Sequence, residues 1–207
     1  MDTEFVEYYN DLTIKIVDDY HYGMKPLEYQ NTKHKHNYMY EYYYLEEYHI
    51  YSDGFTSQHG IIVEELDGTI NSAIVLANGV PTSVHKKSYH IENNSIMICC
   101  GDVLFSLALP DLRLIWKTKI DIGRAIAIYK MNNDYIIEGE IGVSRINSFG
   151  KIIWERESLY TSTKNAWINE FKIIGKYIFT RSWDERKIQY DFNGNKYRNI
   201  FGIMFKK

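Results

Sequence analysis

The sequence predicts an all-β fold made of meandering antiparallel sheets. Short apolar runs alternate with turn residues from residue 60 to the C-terminus, a spacing typical of strands in all-β domains. The chain of 207 residues contains 19 tyrosines and only 3 prolines, and aromatic residues favour pleated, half-buried surfaces. Part of the pattern also repeats along the chain, which predicts that one supersecondary unit is stacked several times.

The repeat is clearest between residues 101–116 and 139–154, which align without a gap at a spacing of 38 residues. Each copy has a glycine and an acid, then a strand, a tight turn and a closing strand that ends in Trp116 or Trp154. In a third, weaker copy Asp191-Phe-Asn-Gly194 replaces Asn147-Ser-Phe-Gly150, and Tyr197 lies near the expected tryptophan. A period of about 40 residues indicates stacked units.

The remaining strands of this part follow from apolar runs between turns. A hairpin is predicted around Asp67-Gly68, because Asp-Gly between two apolar runs favours a hairpin turn. The other predicted strands cover residues 87–91, 96–100, 111–120, 125–130, 135–146, 151–156, 167–174, 176–183 and 187–192. No segment has a helical period long enough to bracket a parallel sheet.

Residues 1–57 show no repeat. Leu12 to Val17 alternate like a strand, although residues 2–17 could also begin as a short helix. Residues 20–37 are predicted to form an irregular loop. The segment Tyr38–Tyr51 carries seven tyrosines in fourteen residues and ends in the turn Ser52-Asp-Gly54. We expect it to be a long strand, and a helix remains the alternative because Glu41, Leu45 and Glu46 suit one.

The repeats resemble the blades of quinoprotein-like and WD40-like β-propellers, whose closing strand has the form Gly-x-x-x-Trp. Gly150-Lys-Ile-Ile-Trp154 has this form, whereas Leu112-Arg-Leu-Ile-Trp116 lacks the glycine. The resemblance covers residues 92–200 and implies about three blade-like units, fewer than the four to eight that close a propeller. Residues 1–57 would then supply further sheets, or the propeller would be partial. The chain also resembles a group of small uncharacterised bacterial proteins, which implies no activity.

The composition limits the partners and the compartment. A net charge of −3 gives no basic footprint for nucleic acid. Cys99 and Cys100 are adjacent in an apolar run, so they are predicted to be buried and free rather than disulfide-bonded. The N-terminus lacks the apolar core of a signal peptide, and no apolar run approaches the length of a membrane span. We therefore expect a single all-β domain over residues 1–207, with blade-like repeats over 58–207, in the cytoplasm.

Candidate chemistry is sparse. His34 and His36 lie in a polar loop without partners at ligand spacing, so no metal is predicted. His59, which precedes a predicted strand, is expected to be a hydrogen-bonded structural residue. Glu138 and Glu140 flank Gly139, and Asp102 is predicted to occupy the same repeat position as Glu140. An acid that recurs after a glycine in successive repeats is explained more simply by hydrogen bonds at a turn or strand end than by acid–base catalysis. No nucleophile elbow, phosphate loop or dinucleotide fingerprint is present. The expectation is therefore no catalytic residue and no cofactor, with Trp116, Trp154 and Trp183 packed between repeats.

The tyrosine-rich segment is the remaining functional candidate, because exposed tyrosine clusters are enriched at protein interfaces. The predicted protein-binding residues are Tyr38, Tyr40, Tyr42, Tyr44, Glu46 and Glu47. Their acidic-aromatic character suits a basic protein, so the hypothesis is a non-enzymatic binding module, such as a bacterial immunity or accessory protein beside a toxin. Two alternatives stay open: an enzyme that binds a small molecule or carbohydrate near Trp116, Trp154, Glu138 and Glu140, and a β-protein that self-associates through an open edge.

Overall fold

The computed structural model describes residues 4–19, 40–45, 55–78, 80–120, 123–157, 171–181 and 187–197. In these ranges the chain forms strands, turns and irregular connections and contains no helix. The prediction of an all-β fold is confirmed. None of the described residues belongs to a helix that could cross a membrane.

Sheet I is formed by the N-terminal part of the chain. Its strands are β1 (Glu4–Tyr9), β2 (Leu12–Asp18), β3 (Tyr42–Leu45), β4 (Ser57–Glu64) and β5 (Ile70–Ala77). Their order is β1-β2-β4-β5-β3, and only the β3–β5 pair is parallel. Without β3, sheet I is a four-stranded antiparallel meander. This sheet extends across the division predicted between residues 57 and 58.

The following three sheets are four-stranded antiparallel meanders in chain order. Sheet II contains β6 (Tyr89–Glu92), β7 (Ser95–Cys100), β8 (Val103–Ala108) and β9 (Leu114–Lys119). Sheet III contains β10 (Ala125–Met131), β11 (Asp134–Gly139), β12 (Gly142–Asn147) and β13 (Ile152–Glu157). Sheet IV contains β14 (Lys172–Ile174), β15 (Tyr177–Arg181), β16 (Lys187–Asp191) and β17 (Lys196–Tyr197). The prediction of blade-like repeats is confirmed, and sheet I brings the number of blade-like sheets in the described residues to four.

Buried apolar clusters join each sheet to the next. The first lies between sheets I and II and includes Ile14, Ile61 and Phe105. The second joins sheets II and III, and the third joins sheets III and IV. A fourth cluster covers part of the opposite face of sheet I, where Tyr40 and the half-buried Phe55 pack on Ile62, Ile74 and Leu76. Among the described residues, no buried cluster connects sheet IV back to sheet I.

Strand register shows that the gapless alignment at a spacing of 38 is one residue out of phase over its first half. Cys99 lies opposite Leu104, and Glu138 lies opposite Val143, so these hairpins correspond at a spacing of 39. The β8–β9 turn has one residue more than the β12–β13 turn, which restores the spacing of 38 at the tryptophans. Asp102 therefore corresponds to Ile141, and its predicted equivalence to Glu140 is wrong.

Tyr197 occupies the position of the tryptophan in sheet IV. Trp116 lies opposite Ser106, Trp154 opposite Arg145 and Tyr197 opposite Gln189. Sheets II and III have a register shift directly before the tryptophan, which sheet IV lacks. This difference explains why Tyr197 comes one residue early, and it confirms the third repeat.

Both described repeat tryptophans pack against a glycine turn of the following sheet. The Nε1 atom of Trp116 donates a hydrogen bond to the carbonyl oxygen of Ser148 at 3.1 Å, and that of Trp154 donates to Phe192 at 2.9 Å. A Cβ atom on Gly150 would lie 2.5 Å from the Trp116 ring, and one on Gly194 would lie 2.8 Å from the Trp154 ring. The prediction that these tryptophans pack between repeats is confirmed, and Trp183 lies outside the described residues.

The substitution Gly150→Ala is expected to destabilise the fold more than Gly68→Ala. Both glycines have positive φ angles, +76° and +85°, so an alanine is strained at either position by about 1–2 kcal/mol. Only at Gly150 must the new methyl group also displace the Trp116 ring, because nothing lies within 4 Å of a Cβ atom on Gly68. Urea unfolding of both variants measures the difference. Equal losses would show that the Trp116 contact adjusts without cost.

Candidate functional site

The strand β3 forms the outer edge of sheet I and is anchored to sheet II. The Tyr44 hydroxyl donates a hydrogen bond to the carbonyl oxygen of Leu112 at 2.9 Å and accepts one from the Leu114 amide at 3.1 Å. The Lys117 ammonium donates to the carbonyl oxygen of Leu45 at 2.8 Å. Tyr44 thus contacts the β8–β9 turn much as Trp116 contacts the β12–β13 turn. These contacts hold β3, the edge strand of sheet I, against sheet II.

The two faces of β3 have different roles. Tyr42 and Tyr44 stack with ring centroids 6.2 Å apart and pack against the cluster between sheets I and II. Tyr43 and Leu45 point the other way and are 49% and 41% exposed. The charge of the neighbouring Glu41 raises the pKa of the Tyr42 hydroxyl above its ordinary value. The hydroxyl of Tyr42 is therefore neutral at physiological pH.

Among the described residues, the predicted binding residues occupy two environments. Tyr40 is buried, and its hydroxyl donates a hydrogen bond to Asp19 Oδ2 at 2.9 Å. Tyr42 and Tyr44 are half-buried. Tyr38, Glu46 and Glu47 lie outside the described residues. The set as a binding site stays a prediction.

The sequence analysis did not single out Tyr43 and Leu45, which carry the exposed face of β3. Alternation alone assigns Tyr42 and Tyr44 to one face and Tyr43 and Leu45 to the other. Which face is buried depends on the parallel pairing of β3 with β5, which places Tyr43 beside Ile74. No local signal in residues 38–51 indicates that pairing.

A buried polar network lies where sheets I and II meet. Asp18 Oδ1 lies 2.9 Å from His59 Nδ1, and His59 Nε2 lies 3.0 Å from Thr82 Oγ1. The backbone amides of Gly101 and Val84 donate to Thr82 Oγ1 and Asp18 Oδ1, each at 2.9 Å. The residues Asp18, His59 and Thr82 are all buried. The prediction of a hydrogen-bonded structural role for His59 is in accord with this geometry.

The order of carboxylate, imidazole and hydroxyl in this network resembles the relay that activates a serine nucleophile. The Thr82 hydroxyl, however, already contacts His59, Ser57 Oγ and the Gly101 amide. A nucleophile must reach a substrate carbonyl, and Thr82 is 7% exposed. The arrangement therefore joins two sheets, and it supplies no accessible nucleophile.

Carboxylates of the first strands receive hydrogen bonds from the next sheet. Glu7 Oε1 accepts from Lys86 Nζ at 2.6 Å and from the Tyr89 hydroxyl at 2.5 Å. The hydrogen bond from Lys86, followed by that from Tyr89, lowers the pKa of Glu7. Burial raises the pKa of Tyr89, and the bond to Glu7 adds to the effect. This pair joins β1 to sheet II.

The same contact type joins sheets II and III. Glu92 Oε1 accepts hydrogen bonds from Lys130 Nζ and the Tyr135 hydroxyl, while His90 Nε2 lies 3.3 Å from Glu92 Oε2. Burial alone would raise the pKa of Glu92, but the bonds from Lys130, Tyr135 and His90 bring it below its ordinary value. The Glu92 carboxylate thus binds Lys130, Tyr135 and His90, and these contacts are typical of a structural role.

The residues of the alternative enzyme hypothesis do not converge on one pocket. Trp116 packs on the β12–β13 turn and Trp154 on the β16–β17 turn, so they fill two successive contacts between sheets. Glu138 is buried and accepts a hydrogen bond from the Tyr129 hydroxyl at 2.8 Å. Glu140 Oε2 lies 3.8 Å from Arg124 Nε. Glu138 and Glu140 thus contact different side chains, Tyr129 and Arg124.

The cysteines and histidines give no separate site in the described part of the chain. Cys99 and Cys100 are both buried and form no disulfide, as predicted, and burial raises the pKa of the Cys99 thiol. Within the described ranges, no group of three metal-ligating side chains comes together. His34 and His36 lie outside those ranges.

No protein-family model matches the chain, and no curated protein sequence matches it. Solved structures with related architecture include the WD40 domain of Neurospora crassa Pan2, with 13% identity and a TM-score of 0.42 over 54% of this chain and 36% of that one. BamB from Moraxella catarrhalis has 12% identity and a TM-score of 0.47 over 95% of this chain and 66% of that one. Dihydro-heme d1 dehydrogenase NirN has 15% identity and a TM-score of 0.44 over 67% and 32%.

The chain thus spans about a third of the Pan2 and NirN chains and 66% of the BamB chain. At these identities the likeness concerns the fold alone. The blade-like architecture rests on the four meanders and on the repeated tryptophan–glycine contacts between them.

Proposed function

We propose that this chain is a non-enzymatic protein-binding module whose partner contacts the β3 surface, formed by Glu41, Tyr43 and Leu45 together with the adjoining Tyr42. The observation that carries the proposal is the exposure of Tyr43 and Leu45 on an edge strand. Exposed tyrosine supplies contact area to a partner at a low entropic cost, and the exposed Leu45 side chain adds apolar area beside it.

The anchoring of β3 supports the proposal. Tyr44 and Lys117 already fix β3 against sheet II. Binding of a partner would therefore require little free energy for ordering this strand. Neighbouring Glu41 is exposed and gives the surface a negative charge. The narrower form of the proposal is an immunity or accessory protein that binds a basic toxin-like partner through this surface and the flanking Tyr38, Glu46 and Glu47.

The experiment compares variants that separate the surface from the core. The partner is first isolated from the native cell, and its affinity is then measured by calorimetry for the full chain. The double variant Tyr43→Ser/Leu45→Ser is expected to bind at least about tenfold more weakly, because both exposed apolar side chains are lost. Phe149→Ser, which removes an 82% exposed side chain from the β12–β13 turn of sheet III, is the control and should bind normally.

Tyr40→Phe provides a second control, since it removes only a buried hydroxyl from its bond to Asp19. Its effect should appear in stability and not in affinity. Unchanged affinity of the Tyr43→Ser/Leu45→Ser variant, with the fold intact by circular dichroism, would contradict the assignment of β3 as the binding surface.

A further inference from the structure

The outer face of sheet I, which points away from sheet II, carries exposed apolar side chains that continue from Tyr43. Strand register aligns Tyr8, Thr13, Glu64 and Ile70 in one row across β1, β2, β4 and β5. Tyr8 is 81% exposed and Ile70 is 62% exposed. The next row contains Val6, which is also exposed. We call this side of sheet I, which points away from sheet II, the outer face.

From this face we infer a docking site for a basic protein segment that carries apolar side chains between its lysines or arginines. The inference rests on the proposed function in that it assigns a protein partner, and it adds a contact area that includes neither Tyr42 nor Tyr44. The residues that carry it are Tyr8, Ile70 and Glu64.

Among the described residues, Tyr40 and Phe55 cover part of the outer face. Tyr40 lies directly over Gly60, where a Cβ atom would come within 2.1 Å of the Tyr40 hydroxyl. Together with Phe55 it buries Ile62 and Ile74. The row of Tyr8 and Ile70 lies outside the part that Tyr40 and Phe55 cover, and both of these side chains are exposed. An uncovered apolar surface beside a covered one is typical of an interaction site.

Charge identifies the class of partner. The exposed acids that border the outer face are Glu4, Asp11, Glu41, Glu64 and Asp67, whereas Lys15 is the base that the register places on it. Lys15 is half-buried beside Ile62. This excess of negative charge favours a positively charged partner and opposes nucleic acid and anionic lipid surfaces.

The same charge argues against a second copy of this chain on the outer face. A twofold contact would place the patch against itself, because both copies present the same surface. The acids Glu4, Glu64 and Asp67 would then lie against the same acidic patch of the other copy. Like charges opposed across an interface are unfavourable, so a basic partner fits better than self-association.

The experiment uses the full chain and a short synthetic peptide that alternates lysine with tryptophan and valine. A peptide with glutamate in place of each lysine is the matched probe. Saturable binding of the basic peptide is expected by fluorescence anisotropy, with affinity falling when salt is raised from about 0.05 M to about 0.3 M. The double variant Tyr8→Ser/Ile70→Ser and the single variant Glu64→Lys should each weaken binding by at least about fivefold. Phe149→Ser should have no effect.

Three outcomes would overturn the inference: no saturable binding of the basic peptide, equal binding of the glutamate peptide, or unchanged affinity of the Tyr8→Ser/Ile70→Ser variant. Light scattering gives a separate check. If the chain is dimeric and this variant is monomeric, the occupant is a second copy and the inference is wrong. The proposed function is tested independently by Tyr43→Ser/Leu45→Ser and the native partner, so each proposal can fail without the other.

Discussion

The substitution Asp18→Ala is expected to lower the free energy of unfolding by about 3–5 kcal/mol, among the largest single effects in this chain. The carboxylate of Asp18 accepts a hydrogen bond from the Val84 amide and lies against His59 Nδ1. The substitution leaves the Val84 amide and His59 Nδ1 buried without that hydrogen-bond partner. The free energy spent on removing these groups from water is then no longer offset by a hydrogen bond. Chemical denaturation followed by circular dichroism measures the loss.

A double-mutant cycle with His59→Ala tests whether the effect comes from the network. The two substitutions should cost less together than the sum of their separate effects, because each removes the same contact. Asp11→Ala, in the exposed β1–β2 turn, is the matched control and should change stability by no more than about 0.5 kcal/mol. Additive losses from Asp18→Ala and His59→Ala would show that the 2.9 Å contact between the side chains contributes little.

The sequence indicated the structural role of His59, but it did not indicate which residues form the buried network with it. His59 at the corner of a strand could be interpreted as a structural histidine from its neighbours alone. Asp18, Thr82 and Gly101, by contrast, belong to separate strands and turns that meet only after sheets I and II pack. Contacts between residues far apart in sequence depend on strand order, which local periodicity does not determine.

The repeat was also predicted only in part, because the sequence shows its turns but not the register of its strands. The turns at Asn147 and Asp191 could be matched from sequence, because in each the side chain accepts backbone hydrogen bonds within the turn. The additional residue of the β8–β9 turn could not be placed, because an alignment without a gap already matched glycine to glycine. A one-residue error exchanges the two faces of a strand, so the equivalence of Asp102 and Glu140 failed.

For the candidate site, the residue types identified the tyrosine-rich segment, but the sequence did not show which face of its strand is exposed. The long strand predicted over Tyr38–Tyr51 is confirmed only for Tyr42–Leu45, which is β3. Tyr40 and Glu41 precede the strand, and residues 38–39 and 46–51 lie outside the described residues. The exposed side chains are Tyr43 and Leu45 because β3 adds to sheet I beside β5 with Tyr42 and Tyr44 turned towards sheet II. Tyr8 and Ile70 join Tyr43 on one face only through the register of β1 to β5. Periodicity within any one strand gives no access to that register.

The substitution Trp154→Ala is expected to destabilise sheet IV by about 3–5 kcal/mol. Trp154 is 8% exposed, packs with Tyr190 at a centroid distance of 6.5 Å and lies over Gly194. Its Nε1 hydrogen bond to Phe192 would also be lost. Because stacked repeats are stabilised mainly by contacts with their neighbours, the loss should concentrate in sheet IV and spread little to sheet I.

Hydrogen exchange measured by mass spectrometry distinguishes local from global loss. In Trp154→Ala, amides of β15 and β16 should exchange faster, while those of β4 and β5 keep their protection. Ile153→Ala, at the adjacent and largely exposed position of β13, is the matched control and should leave sheet IV protected. If all four sheets lost protection equally, the described sheets would unfold as one cooperative unit. The prediction that sheet IV can unfold while sheet I stays folded would then be wrong. Selective loss in sheet IV would instead show that the third inter-sheet cluster is what attaches this sheet to the rest of the stack.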